Sequence, residues 1–317
     1  MKIVIVGAGA IGRLLGALLS RGGHEVTLVE PDQEIVESIN RQGIGIMDIG
    51  QQDPDAASFV PAQAVSDAAT LSECDLVFLA VKSFDTLTAV KSVAHLVGED
   101  SPIISIQTGL GNLEVMEKVV PRQTIIGGFT FMAATSLGAA KIRHGGIGKT
   151  YLGELDGIIT PRLTEISNHL NQCGIQTSPV HRIMGRLWCK IIVYSAINPV
   201  SAILRVNNGS LLDRMESITL MKRLVDEGIE VAAAYSIDLV YHDLNELLFD
   251  ACRKTSNNLS SMLQDMLNDK RTEIDAQNGA LCRYAEKKNI SLPTHRTIAE
   301  LVKLMEKWRE QGGSSIV

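Results

Sequence analysis

Aromatic side chains are scarce: six Phe, five Tyr and two Trp make up 4% of 317 residues. A chain so poor in rings has little from which to build base-stacking platforms for single-stranded nucleic acid. Positive charge is not in excess either. Thirty Lys and Arg stand against 36 Asp and Glu, a net charge of −6, which argues against nucleic acid or an anionic membrane surface as the main partner. A small basic pocket for an anionic metabolite stays compatible with that average. No apolar run reaches the ~18 residues of a membrane-spanning helix, so no membrane segment is expected. Five cysteines, at 74, 173, 189, 252 and 282, form no CxxC pair. Reduced thiols in the cytoplasm fit that usage better than a disulfide framework. The histidines form no HxxxH or HExxH pair and the acids no metal-spaced cluster, so no metal is expected.

What is present is an ordinary globular balance, 45% hydrophobic and 21% charged. The length suits two domains of roughly 100–200 residues. Lys2–Val6 is a largely β-branched run, as a strand buried on both faces requires. Gly7-Ala8-Gly9-Ala10-Ile11-Gly12 follows at once, then a helical stretch over Arg13–Arg21, the stop Gly22-Gly23, and a second strand over Glu25–Val29. That is one βαβ unit. Further strands are expected at Asp75–Val81, Ile103–Gln107 and Thr124–Phe129, alternating with helical segments. The glycine-rich Lys141–Gly153 predicts an antiparallel hairpin or edge appended to the parallel sheet. Pro161–Cys173 reads as helix and Gly174–Ser178 as extended. Beyond about 180 helix formers dominate, with helices expected over Arg182–Ile203, Ser217–Ala234, Thr272–Lys288 and from Pro293 to about Gln311. Residues 312–317 are expected to fray.

The glycine string matters because of where it sits, between a strand and a helix. Gly7 allows the tight turn, Gly9 lets backbone approach a pyrophosphate, and Gly12 permits close helix–strand packing. Ala8, Ala10 and Ile11 complete a turn whose open amides and helix dipole suit phosphate. The expected fold is therefore an α/β Rossmann-type N-terminal domain with a mostly parallel sheet, residues 1–179, plus an all-helical C-terminal domain, residues 180–317. Glu30 lies at the end of the second strand, where a carboxylate accepts ribose hydroxyls and repels a 2′-phosphate. No arginine follows it, so NAD(H) is favoured over NADP(H). Lys82 and Thr108 follow expected strands and face the cofactor crevice, since ligands of such sheets sit beyond the strands' carboxyl ends.

The chain resembles the ketopantoate reductase (2-dehydropantoate 2-reductase) family from Met1 to about Met305. The resemblance is carried by GAGAIG at 7–12, AVKS at 80–83, QTGLGN at 107–112, HGGIGKTYLGE at 144–154, LWCK at 187–190, NP at 198–199, and SSMLQD through RTEID at 260–275. It implies hydride transfer from a nicotinamide to the 2-keto group of ketopantoate, giving pantoate on the route to pantothenate and coenzyme A. By the same resemblance Lys190 is the general acid, Glu273 lies in the active cleft, and Ala134 sits beside the nicotinamide. It further implies that Asn198, Asn208, Asn258 and Ser261 line the site of a small anionic 2-keto acid.

Chemistry agrees with the lysine, because the alkoxide formed by hydride addition needs a proton. Trp188 and the apolar Ile191–Val193 set Lys190 apart from a solvated surface lysine. Lys190, Tyr194 and Asn198 share one helical face at i, i+4, i+8. Ser261 with Gln264 makes a capping-box pattern, so Ser261 is expected to open a helix, as a cap alone or as a carboxylate site. Thr272 is expected to begin another, with Glu273 in its first turn. Two positions depart from the family: Tyr194 and Thr108 each stand where it carries asparagine. They favour a second reading, the same chemistry on a different 2-keto acid. A non-catalytic dinucleotide-binding sensor is a third, against which the joint presence of Lys190, Asn198, Ser261 and Glu273 speaks. The helical domain is a possible homodimer surface.

Overall fold

The computed structural model describes residues 1–51, 53 and 57–310. The tail at 312–317 lies outside the described residues. The chain forms two compact units.

The first unit comprises Met1–Gln107 and Asn112–Ile183. Its strands are β1 (Lys2–Val6), β2 (Glu25–Val29), β3 (Ile44–Met47), β4 (Ser58–Val60), β5 (Gln63–Val65), β6 (Leu76–Leu79), β7 (Ile103–Ser105), β8 (Ile125–Thr130), β9 (Ala133–Ser136), β10 (Lys141–Gly146), β11 (Thr150–Glu154) and β12 (Thr177–Pro179). Eight of them make one sheet in the order β12-β11-β8-β7-β6-β1-β2-β5. All its neighbours run parallel except β8 and β11. The helices are α1 (Ala10–Arg21), α2 (Gln33–Gln42), α3 (Thr86–Val93), α4 (Asn112–Met116) and α5 (Pro161–Gln172). The expected α/β Rossmann-type layer is thus present.

Burial explains the strand sequences. Ile3, Ile5, Leu28, Phe78, Ile104 and Ile126 are essentially inaccessible and share one core with Leu14, Leu15 and Leu19 of α1. Each such side chain contributes about 1.5–3 kcal/mol by leaving water. The glycine-rich 141–153 stretch adds an antiparallel strand to the large sheet, as expected, but does not form one hairpin. It divides: β10 joins a separate sheet of order β4-β3-β10-β9, while β11 enters the large sheet. The crossing passes at Gly148, where a Cβ would lie 2.1 Å from the backbone of Phe131. Only glycine passes so close to another chain segment.

The second unit comprises Thr108–Gly111 with the chain from Met184 onward. Its helices are α6 (Ile183–Leu204), α7 (Met215–Ala234), α8 (Leu244–Lys254), α9 (Ser261–Leu267), α10 (Asn278–Glu286) and α11 (Pro293–Glu310). By length and composition α6 would pass for a membrane span, but it is mostly buried as the core helix of this unit. Ile191, Ile192, Val193, Ala196 and Ile197 are at 0–1% exposure. Gly228 lets α7 close on it, since a Cβ there would meet Ile192 Cγ2 at 2.9 Å. The expected helix from Thr272 begins six residues later, at Asn278. Residues 273–277 form a turn instead, with the amides of Ala276 and Gln277 both donating to the Glu273 carbonyl at 3.0 and 3.1 Å.

Candidate active site

In the first unit the glycine turn is built as its chemistry demands. Gly7 has φ +100°, and a Cβ on it would sit 2.8 Å from Val81 Cγ1. A Cβ on Gly12 would fall 1.9 Å from the Gly7 carbonyl oxygen, whereas one on Gly9 would project into open space. Gly9 caps α1 without any side-chain bond, and the first turn carries no acid. The leading amides of α1 are therefore available to an anion, with the helix dipole behind them. Ala8 is buried, and Ala10 and Ile11 are half-buried at the helix start.

Glu30 lies against this turn. Its Oε2 accepts the Ala8 amide at 2.9 Å and its Oε1 the Asp32 amide at 3.2 Å. The carboxylate is thereby held at the ends of β1 and β2. Open helix-start amides beside a fixed carboxylate are an arrangement that fits a dinucleotide. Lys82 caps the short turn Ser83–Asp85 that follows β6. Ala134 is half-buried in β9, opposite His144, in the smaller sheet.

Sequence reasoning passed over Arg13, which follows the glycine string and is 2% exposed. Its guanidinium donates to the Ala139 carbonyl and the Ser136 hydroxyl, both at 2.7 Å, tying α1 to the β9–β10 turn. Burial pushes its pKa down to about 10, against the opposing charge of Glu30. The available signal was a lone charge inside the apolar run AIGRLLGALL.

In the second unit α6 presents Lys190, Tyr194 and Asn198 in register. Lys190 is 8% exposed. Its Nζ lies 5.7 Å from the Tyr194 ring centroid and 3.5 Å from Thr108 Oγ1. Thr108, expected to face the cofactor crevice, thus packs with the second unit, where the Leu110 amide donates to the Ala276 carbonyl at 2.9 Å. Burial drives the Lys190 pKa down to about 8, while the negative charge of Glu273 works the other way. Such a group exchanges a proton near neutrality. Burial likewise pushes the Tyr194 hydroxyl up to about 12.

Asn198 is buried, and its Nδ2 donates to Gln277 Oε1 at 3.1 Å. The cap of α9 is Ser260, not Ser261: the Ser260 hydroxyl accepts the Leu263 amide at 3.1 Å and donates to the Asn198 carbonyl at 3.3 Å. Ser261 is the first residue inside the helix and is exposed. Gln264 donates to the Leu259 carbonyl rather than closing a box with Ser261. Asn208 and Asn258 meet through backbone, the Asn208 amide donating to the Asn258 carbonyl at 3.0 Å. Asn208 Nδ2 donates to Thr255 Oγ1 at 2.9 Å, while its buried Oδ1 accepts no hydrogen bond. Among the described residues no three His, Cys, Asp or Glu side chains are placed to hold a metal ion.

Residues 3–157 match the family described as ketopantoate reductase PanE/ApbA, and residues 182–306 match its C-terminal domain. A 2-dehydropantoate 2-reductase of Pyrococcus horikoshii is 34% identical over 308 residues, covering 96% of this chain and 98% of its own. The corresponding protein of Halobacterium salinarum is 29% identical over 308 residues, covering 97% and 99%. In structure, a D-mandelate dehydrogenase with NADH and anilino(oxo)acetate superimposes with TM-score 0.90 at 26% identity, over 97% of this chain and 98% of that one. A PanE/ApbA family ketopantoate reductase from Ralstonia eutropha gives TM-score 0.88 at 27% identity, over 98% and 100%.

Proposed function

The chain belongs to the ketopantoate reductase family, and from that membership we propose that it is a nicotinamide-dependent 2-keto acid reductase that converts ketopantoate to pantoate. The observation that carries the reading is Lys190, a buried lysine with its pKa brought to about 8. A bound reduced nicotinamide supplies the hydride. Lys190 as the ammonium gives its proton to the keto oxygen as negative charge develops there, and stabilises that charge before transfer. Glu273 favours the charged lysine and so keeps the acid loaded. Thr108 Oγ1, within 3.5 Å, is an acceptor that orients the ammonium.

Gly7–Gly12 and the leading amides of α1 take the pyrophosphate, and Glu30 the adenosine ribose, with NADH preferred because a carboxylate repels a 2′-phosphate. Lys82 and Ala134 are assigned to the cofactor as well. Asn198, Asn208, Asn258 and Ser261 are assigned to the keto acid, Ser261 through the open first-turn amides of α9 and its exposed hydroxyl. All five cysteines are free thiols, which suits a cytoplasmic enzyme.

Tyr194 supports a second reading, reduction of a 2-keto acid whose substituent is apolar. An aromatic ring beside Lys190 offers packing where an amide would offer paired hydrogen bonds. The D-mandelate dehydrogenase likeness agrees with it. Assaying a panel of hydroxylated, branched and aryl 2-keto acids with NADH and with NADPH tests both readings. Oxidation of neither cofactor with any member would overturn them together.

A further inference from the structure

Pro199 lies inside α6. It has no N–H, so the carbonyl of Ser195, four residues earlier, loses its helical donor. A buried carbonyl left unpaired is costly. Asn278 supplies the missing bond. It is 0% exposed, and its Nδ2 donates to the Ser195 carbonyl at 2.9 Å.

The second proton of the same nitrogen goes to His295 Nδ1 at 3.0 Å. His295 is also 0% exposed, and its Nε2 lies 2.8 Å from the Leu224 carbonyl. A carbonyl only accepts, so Nε2 bears the proton and Nδ1 is the bare acceptor. This assigns the tautomer from the network and fixes the direction of every bond in it. Asn278 is thereby oriented with both protons committed. Its neighbour Gln277 accepts Asn198 Nδ2 at Oε1, so the side chains of Gln277 and Asn278 both grip α6 just before Pro199, one at the Asn198 side chain and the other at the Ser195 backbone.

Resting on the function proposed above, we propose that Asn278 is a positioning residue: it closes the gap that Pro199 opens in α6 and so fixes the turn from Ser195 that presents Asn198 to the substrate. The proline then has a use. It opens the helix at a site where a side chain from α10 docks, tying α6 to the segment that carries Glu273 and Gln277.

The test is a double-mutant cycle on the full chain. Asn278→Ala and Pro199→Ala are compared singly and together, with the best 2-keto acid, at a temperature where all are folded by circular dichroism. Pro199→Ala restores a backbone N–H that reaches Ser195. Asn278→Ala alone should lower kcat/KM for the keto acid at least about tenfold, since a misplacement of about 1 Å can cost on the order of 100-fold, while KM for NADH stays within about twofold. In the Pro199→Ala background the same change should cost less than about threefold. Equal losses in both backgrounds would overturn the positioning role, as would an unchanged kcat/KM in Asn278→Ala. Should that variant not accumulate folded, Asn278→Ser, which removes fewer buried atoms, takes its place in the cycle. A wild-type chain that reduces no 2-keto acid would overturn the underlying function, and the positioning role with it.

Discussion

Glu30 Oε2 accepts the amide of Ala8 at 2.9 Å, so the acid at the end of β2 is tied to the glycine turn at the end of β1. Two strands that are neighbours in the sheet thereby deliver a fixed negative charge beside the open start of α1. In the proposed cofactor site a 2′-phosphate brought to that charge would meet repulsion, and ribose hydroxyls would meet an acceptor. NADH should bind more tightly than NADPH. Glu30→Ala should narrow the ratio of their Kd values by about tenfold, the ~1.4 kcal/mol of one charge-assisted hydrogen bond. Titration of cofactor fluorescence measures it, and a wild-type preference for NADPH would refute the assignment.

Lys190 should give the reaction an alkaline limit. In the proposed role of proton donor it would work in its charged form, which is lost as pH rises through its pKa of about 8. The kcat/KM for reduction should fall above that pH. Glu273→Gln removes the charge that holds the pKa up, so the limb should move to lower pH. Lys190→Ala should cost about a hundredfold or more in kcat with little change in NADH affinity. Arginine should not rescue, because its pKa above about 12 makes it a poor donor. Near-normal turnover of Lys190→Ala would remove the lysine from the mechanism.

How far the sequence could be read follows from where each interaction closes. β1 and β2 were legible because β-branched runs abut a glycine turn and a glycine stop, all within thirty residues. β3, β4 and β5 were not. They are three or four residues long, and one contains glycine, so no alternation announces them. At α9 two adjacent serines satisfy a capping pattern, and only the bond from the Leu263 amide selects Ser260. Spacing along α6 correctly put Lys190, Tyr194 and Asn198 on one face. It was silent about Thr108, 82 residues earlier in the chain, and about Asn278, 83 residues after the carbonyl it holds. Helical periodicity also overran Thr272–Gln277, where amides returning to the Glu273 carbonyl form a turn.

His295 should make stability fall on mild acidification. Burial lowers its pKa, with the Leu224 carbonyl and Glu227 only partly opposing. Its folded pKa is below the unfolded value of about 6.5, so the unfolded chain binds more protons in the window between them. The contribution is complete above about pH 6.5 and is lost as pH falls towards the folded pKa. Protonation would also cost Asn278 its acceptor at Nδ1. Urea midpoints measured from pH 7.5 to 5.5 should decline more steeply for wild type than for His295→Asn. Parallel slopes would show that the histidine is not the group responsible.

Tyr194 should decide which 2-keto acid is preferred. Its ring centroid is 5.7 Å from Lys190 Nζ, one helical turn along the same face. A ring of this kind packs against branched or aryl substituents, and its single hydroxyl, with a pKa raised to about 12 by burial, stays protonated. An amide at that position would instead offer an acceptor and two donors to a hydroxylated chain. Losing one well-placed hydrogen bond to a substrate hydroxyl costs about 0.5–1.5 kcal/mol, or up to about tenfold. Tyr194→Asn should therefore shift kcat/KM towards ketopantoate and away from an aryl 2-keto acid by about tenfold in their ratio. The void left by the ring should raise KM for the aryl substrate most, because the lost contact is equally present before and during hydride transfer. Competition assays with both substrates in one vessel read the ratio directly. If it does not move, the ring is core packing for α6, and the identity of residue 194 has no bearing on the choice of substrate.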